Sequence, residues 1–291
     1  MTSEWKVSTL GDLIDEGAAE LQTGPFGTML HTSAYRSEGT PVVAVMHIGD
    51  NRLIHSELPR VDDETAVRLS RYRLKKGDIL FSRKGAVERR AIVREEEGWL
   101  QGSDCIRLRV DSNILDSDFL SFAFGTPHFR NWISQNAHGA TMPSLNQEIL
   151  KRISLYIPPI AEQRKIAEQL KAFDDKIELN RKMNATLEQM AQALFKFWFV
   201  DFDPVRAKAA GRAPDGMDAE TAALFPMEFE DSKLGSIPKG WRISTIGNEV
   251  DVFGGSTPST KEISYWEGGV YSWVTPALPI NCLQNPISNL L

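Results

Sequence analysis

The chain has 291 residues, of which 42% are hydrophobic and 25% charged, with a formal net charge of −6. That length suits about two domains of ordinary size. No apolar run approaches the roughly 20 residues of a membrane span, no basic start followed by an apolar stretch marks a secretory signal, and an acidic total argues against indiscriminate binding of nucleic acid.

In chain order, the first element is half of a repeat. EWKVSTLGD at Glu4–Asp12 returns as GWRISTIGN at Gly240–Asn248, with Trp5, Ser8, Thr9 and Gly11 matching Trp241, Ser244, Thr245 and Gly247. A second pair follows, YRSEGTPVVAV from Tyr35 against YWEGGVYSWVT from Tyr265. The copies lie further apart than the roughly 20–50 residues of a solenoid period. The second copy therefore marks the start of a second domain of the same kind, expected to be cut short at Leu291.

Thr23, Gly24, Pro25, Phe26 and Gly27 form a loop whose glycines permit close approach of another backbone; a plain turn is the alternative. Its counterpart in the second copy is Gly254–Pro258. Val42–Met46, Ile79–Phe81 and Ala91–Val93 read as short strands. Ile106, Leu108 and Val110 alternate with Arg107 and Arg109, which predicts a strand with one buried and one wet face. Between Arg68 and Arg94 ten Lys/Arg stand against only Asp78 and Glu88. A local basic face on an acidic whole attracts phosphate without adhering to it everywhere; a solvated surface is the alternative. Asp116 and Ser117 can cap a helix carrying Phe119, Leu120, Ala123 and Phe124. Gly125–Pro127 breaks it, and Phe129, Trp132 and Ile133 continue in a second helix. Ser144–Gln147 has the spacing of a capping box before Ile149 and Leu150.

Pro158-Pro159 then open a stretch, Ile160–Phe199, with no Pro and no Gly. Ile166, Leu170, Phe173, Ile177, Leu187, Ala191, Leu194 and Trp198 recur every three or four residues, and Asn180 and Asn184 fall on the same seam. The pattern predicts one helix of about 60 Å whose apolar stripe needs a partner helix. Asp203-Pro204 is expected to end it. Eight Asp/Glu stand against Arg206, Lys208 and Arg212 between Asp201 and Asp231, in a composition typical of a linker. The expected layout is α+β: a mixed α/β domain at 1–157, a coiled-coil-type helix at 158–200, an acidic linker at 201–233 and part of a second domain at 234–291.

The string IPPIAEQRKIAEQLKAFDDKIELNRKMNATLEQMAQALFKFWFVDFDP resembles the central region of DNA specificity subunits of type I restriction-modification systems. GATMPSLNQEILKRISLYIPP, WKVSTLGD and KKGDILFSRKG resemble its flanking and target-recognition motifs. The resemblance implies a non-catalytic, cytoplasmic subunit that reads double-stranded DNA and aims methyltransferase and translocase-nuclease subunits at it. S-adenosylmethionine, ATP and magnesium would then be bound only by those partners. The expected DNA-contacting residues are Thr23, Gly24, Pro25, Phe26, Lys75, Lys76, Arg83, Lys84, Arg89, Arg90 and Thr141. The expected subunit-binding seam is Ile166, Leu170, Phe173, Ile177, Asn180, Asn184, Leu187, Leu194 and Trp198, which could also pair two copies of the chain as a homodimer. The alternative is an assembly protein that docks the methyltransferase without competent DNA readout. No catalytic or metal-binding constellation is read from the sequence: His31, His47, His55, His128 and His138 do not pair with cysteines at zinc spacing. Cys105 and Cys282 read as buried small hydrophobes rather than a disulfide.

Overall fold

Thr9 decides where the chain first turns from strand to helix. Its side chain accepts from the backbone N–H of Asp12, and the Asp12 carboxylate accepts from the N–H of Thr9, so each satisfies an orphan donor of the first helical turn. The computed structural model describes residues 5–26, 28–139, 142–256, 258, 259, 261–265 and 267. It divides into two compact units, 1–189 and 190–291.

In the first unit β1 (Lys6–Thr9), α1 (Leu10–Asp15) and β2 (Ala19–Thr23) are followed by β3 (Tyr35–Arg36), β4 (Thr40–Val43), β5 (Arg60–Val61) and α2 (Asp63–Arg68). Then come β6 (Ile79–Ser82), β7 (Arg90–Ile92), β8 (Leu100–Gln101), β9 (Cys105–Val110), α3 (Ser117–Phe124), α4 (Pro127–Asn136), α5 (Gln147–Lys151) and β10 (Ser154–Ile157). The long helix α6 (Ile160–Phe199) coincides with the stretch free of Pro and Gly. One antiparallel sheet has the order β2-β9-β6-β7, and a second has the order β3-β5-β4-β8, with only β4 and β8 parallel. β1 pairs separately with β10. The architecture is α+β.

β6 is buried along its whole length. Ile79 and Phe81 enter the main core with Leu10, Leu13, Ile106, Phe124 and Leu150, while Leu80 enters a second core with Val43, Ala91 and Cys105. A strand covered on both faces reads as an unbroken apolar run, which is why the sequence shows no alternation here. β9 departs from expectation for the same reason. Arg107 is 1% exposed rather than wet; Glu20 and the Arg71 carbonyl hold its guanidinium.

Other local expectations shift in detail. Val42–Met46 is not one strand: β4 stops at Val43, and Val45–His47 is a 3₁₀ turn in which the Ala44 N–H donates to Nδ1 of His47. The cap of α5 is Asn146, whose side chain accepts from the Ile149 N–H, not Ser144, which is taken by a bridge to His138. Cys105 is fully buried and its thiol is pushed up to about 12, chiefly by desolvation; Cys282 lies outside the described residues.

The start of α6 is clamped to the head by Gln163, which is fully buried. Its Oε1 accepts from the Asp116 N–H, and its Nε2 donates to the carbonyls of Ile114 and Pro158. Glu162 accepts from the Trp5 indole at 3.3 Å. The Pro-Pro-x-x-Glu-Gln motif thus turns the chain into the helix and fastens it there.

In the second unit α6 ends because Phe202 adopts a left-handed conformation (φ 55). Asp203-Pro204 does not end that helix; it opens α7 (Asp203–Ala209), where proline at the first turn loses no hydrogen bond. α8 (Ala219–Ala223), β11 (Phe229–Ser232), β12 (Gly235–Pro238) and α9 (Ile246–Glu249) follow. Trp198, Phe199, Phe202, Phe225, Phe229 and Trp241 form a chain of ring contacts with centroids 5.5–6.4 Å apart. The repeat keeps its helix start, with Thr245 before α9 as Thr9 stands before α1. It does not keep the strand: residues 241–244 are irregular, and no described strand pairs with them as β10 pairs with β1.

Candidate nucleic-acid interface

Three loops that are remote in sequence meet at Arg83. The Arg83 N–H donates to the Asp104 carbonyl and its own carbonyl accepts from the Leu145 N–H. The Gly85 N–H donates to the Pro143 carbonyl, and Lys84 bridges to Ser144. These bonds lock the turn after β6 to the loop 138–145, which is itself closed by reciprocal bonds between His138 and Ser144. On the other side the Arg83 guanidinium lies over the Phe26 ring, 5.3 Å from its centroid. Gln147 donates to Thr23 Oγ1 at 2.9 Å, which ties the third loop to α5.

The loop 23–26 is held from beneath by backbone packing. The Gly24 N–H donates to the Cys105 carbonyl, and a β-carbon on Gly24 would lie 1.9 Å from the Gly102 carbonyl oxygen. No other residue fits there. Gly24 and Pro25 are buried and Thr23 is half-buried, so of the four only Phe26 faces outward.

The six expected cations divide into three groups. Lys84 and Arg89 are exposed and Arg83 half-exposed at one end of β6. Arg83 and Arg89 have no carboxylate partner among the described residues, whereas Lys84 pairs with Asp104 at 3.2 Å. Lys75 and Lys76 are exposed at the opposite end of β6, a strand of about 13 Å. Their turn is fixed by Asp78, which accepts from the Lys75 N–H and grips Arg109. Lys76 lines a cleft of about 420 Å³ with Arg94, Asp118, Arg164 and Lys171 at the foot of α6, away from the three loops.

Arg90 is the exception to the surface reading. It is 4% exposed, donates from Nε to the Ser121 carbonyl at 2.7 Å and pairs with Asp50. Burial lowers the pKa of its guanidinium, and its contacts are spent inside the protein. Thr141 lies outside the described residues.

The helix seam is covered at its ends and bare between them. Ile166 packs on the main core and Trp198 is half-buried beside Phe225. Leu170, Phe173, Ile177, Asn180, Asn184, Leu187 and Leu194 are exposed, Phe173 by 70%. Ion pairs of Arg52 with Asp174 and Glu178, and of Arg94 with Asp174, fix the first half of α6 to the head, and Arg94 also pairs with Asp118 on α3. Composition drew attention to the lysines and arginines but not to Asp104, which holds Lys84 and Arg83, nor to Gln147 and Gln163, which tie down the loop at Thr23 and the start of α6. Gln163 carried a signal as the last residue of the proline motif, and Gln147 only as part of a capping-box spacing. Among the described residues no cluster of His, Cys, Asp or Glu could hold a metal ion, and no helix is long and apolar enough to cross a membrane.

Residues 2–189 match the family described as type I restriction modification DNA specificity domain, and the chain belongs to that family. It is 28% identical to the HindI type I restriction enzyme specificity subunit of Haemophilus influenzae, over 91% of this chain and 64% of that protein. It is 30% identical to the MjaIX specificity subunit of Methanocaldococcus jannaschii, over 68% of this chain and 41% of that protein. The chain thus spans less than two thirds of the length of these relatives. A crystal structure of a type I restriction-modification S subunit from M. genitalium aligns with 72% of this chain and 50% of that one, at 18% identity and a TM-score of 0.47.

Proposed function

We propose that this member of the type I DNA specificity family reads double-stranded DNA through the three loops gathered at Arg83, as a non-catalytic subunit. The observation that carries the reading is the convergence itself. Arg83, Lys84 and Arg89 stand on backbone fixed from two sides, with Phe26 presented beside them. Cations so placed supply phosphate contacts that set register, while base contacts supply sequence choice. Methyl transfer and ATP-driven cleavage would belong to methyltransferase and translocase-nuclease subunits, which would bring S-adenosylmethionine, ATP and magnesium.

The bare seam of α6 supports two further parts of the proposal. It offers the methyltransferase subunit a docking edge, and it allows two copies to pair. In an antiparallel pair centred between Asn180 and Asn184, Ile166 meets Trp198, Leu170 meets Leu194, Phe173 meets Ala191 and Ile177 meets Leu187. Asn180 then meets Asn184 twice, so the polar residues satisfy one another and fix the register. Such a dimer would read an inverted repeat, because protein symmetry is mirrored in the site.

Duplex binding over a range of salt, together with co-purification of the cognate methyltransferase subunit, tests the proposal. Steep salt dependence and retained assembly support it. Assembly without duplex binding would instead identify a scaffold that docks the methyltransferase and reads nothing. A clean monomer by light scattering at micromolar concentration would remove the homodimer.

A further inference from the structure

Phe26 is 57% exposed and follows a backbone segment anchored from behind. Pro25 behind it is buried, Gly24 is wedged against Gly102, and the Met29 N–H closes a turn onto the Phe26 carbonyl. A lone exposed aromatic is ordinary. This one stands on anchored backbone, carries an arginine over its ring, and shares its surface with a second exposed apolar side chain. Met142, 63% exposed, stands in the loop that Leu145 and Pro143 bond to Arg83 and Gly85. An apolar tip among cations is poorly suited to a phosphate backbone alone. It is suited to a base step, where proteins insert Phe or Met between stacked bases and kink the duplex. Preorganisation matters for such a wedge, because a mobile loop would lose ordering entropy on insertion.

We propose that Phe26 enters the base stack of the bound duplex as a wedge, with the Arg83 guanidinium holding its ring in place and reaching the adjacent phosphate. The inference rests on the DNA-reading function proposed above and adds the mode of contact: part of the site would be selected by how readily one step unstacks, a specificity that needs no hydrogen bond to a base. Pyrimidine–purine steps, the easiest to unstack, are the expected location.

The test uses the full chain. A duplex is first selected from a randomised pool with the unaltered protein. It is then labelled with dyes at both ends, to read bending, and with 2-aminopurine at successive positions, to read unstacking. The unaltered chain should brighten 2-aminopurine at one step and shorten the end-to-end distance. Phe26→Ala should abolish both signals and weaken binding by about 10- to 100-fold, the range for one lost aromatic–base stack. Phe26→Trp should keep both, and thermal melting should be nearly unchanged in either variant because the side chain is exposed. A Phe26→Ala chain that bends and unstacks the duplex as before overturns the wedge while leaving DNA reading intact. So does one that loses melting temperature but keeps both DNA signals, since Phe26 would then serve the fold. Failure of the unaltered chain to enrich any duplex overturns the DNA reading and the wedge together. Phe26→Leu provides a second variant if the alanine form does not fold, and should retain a reduced kink.

Discussion

Replacing Arg83 and Lys84 together with glutamine isolates the phosphate-binding part of the interface. Arg83, Lys84 and Arg89 are the accessible cations at the loop end of β6, and Lys84 must exchange Asp104 for phosphate to take part. Counting one phosphate each, the slope of log K against log salt is about −2.7 per head, and the double variant keeps only Arg89, at about −0.9. Between 50 and 200 mM salt the unaltered protein should lose about 40-fold in affinity and the variant about fourfold. Fluorescence anisotropy with a mixed-sequence duplex gives both slopes. Lys75→Gln with Lys76→Gln is the internal control, because those residues lie beyond the other end of the strand. If the control flattens the slope as much as the test pair does, the interface is not confined to the three loops and the assignment fails. An unchanged slope in the Arg83/Lys84 variant refutes it outright.

The remaining expectations concern stability, acid response and assembly. Arg90→Met should lower stability by about 2 kcal/mol, since the buried Ser121 carbonyl loses its charged donor and keeps only the Gly125 N–H at 3.2 Å; urea unfolding checks this, and unchanged stability with weakened DNA binding would return Arg90 to the DNA face. Burial holds His47 below its ordinary pKa of 6.5, so the neutral ring is favoured in the folded state. The stability it contributes is complete above pH 6.5 and falls as pH drops from there towards the depressed folded value. His47→Asn, which keeps an acceptor for the Ala44 N–H, should flatten the urea midpoint over that window, and a persisting slope would assign it to other groups. Ile177→Lys or Leu187→Lys should turn a dimer into a monomer in light scattering while leaving the circular dichroism of the head unchanged; a persisting dimer would place the contact elsewhere.

What could be read from residue order differs between elements for physical reasons. The start and course of α6 were legible because Pro158-Pro159 and an uninterrupted periodic stripe are local signals; its stop was not, because it lies at the left-handed Phe202 rather than at Asp203-Pro204. α3 was legible because Asp116 caps it within four residues. The burial of Arg107 was not, because its partners Glu20 and the Arg71 carbonyl arrive from distant segments and alternation alone predicts a wet face. Arg90 failed in the same way: a charged residue declares its charge but not the acid across the fold that meets it. The loop set at Arg83 was named in pieces. That 83–85 and 142–145 share one surface follows from backbone bonds between Arg83 and Leu145 and between Gly85 and Pro143, and 23–26 joins them through the Arg83–Phe26 and Gln147–Thr23 side-chain contacts; no local pattern encodes any of these. The stretch 201–233 has a linker's composition, yet Val205 and Ala207 are buried and Lys208 donates to the Ala222 carbonyl, contacts that composition does not register.

The seam and the recognition loops are coupled through geometry under the proposed pairing. The ion pairs of Arg52 and Arg94 with Asp174 hold the head at a fixed rotation about α6, so the register of two helices would set the distance between two heads. A slip of one heptad moves a head by about 10 Å along the rod. On DNA that is about three base pairs, nearly a third of a helical turn, which would carry the loops from one groove face towards the backbone. Apolar residues alone tolerate such a slip, since Ile, Leu and Phe pack against one another in several registers. The two asparagines do not, because a slip of one heptad leaves them opposite Ala191 and Leu187, or Ile177 and Phe173, with their amides unpaired. Asn180→Leu with Asn184→Leu should therefore raise the melting temperature of the pair and broaden the spacings selected between half-sites. A variant that melts higher but still selects a single spacing would show that the heads, rather than the seam, set the ruler.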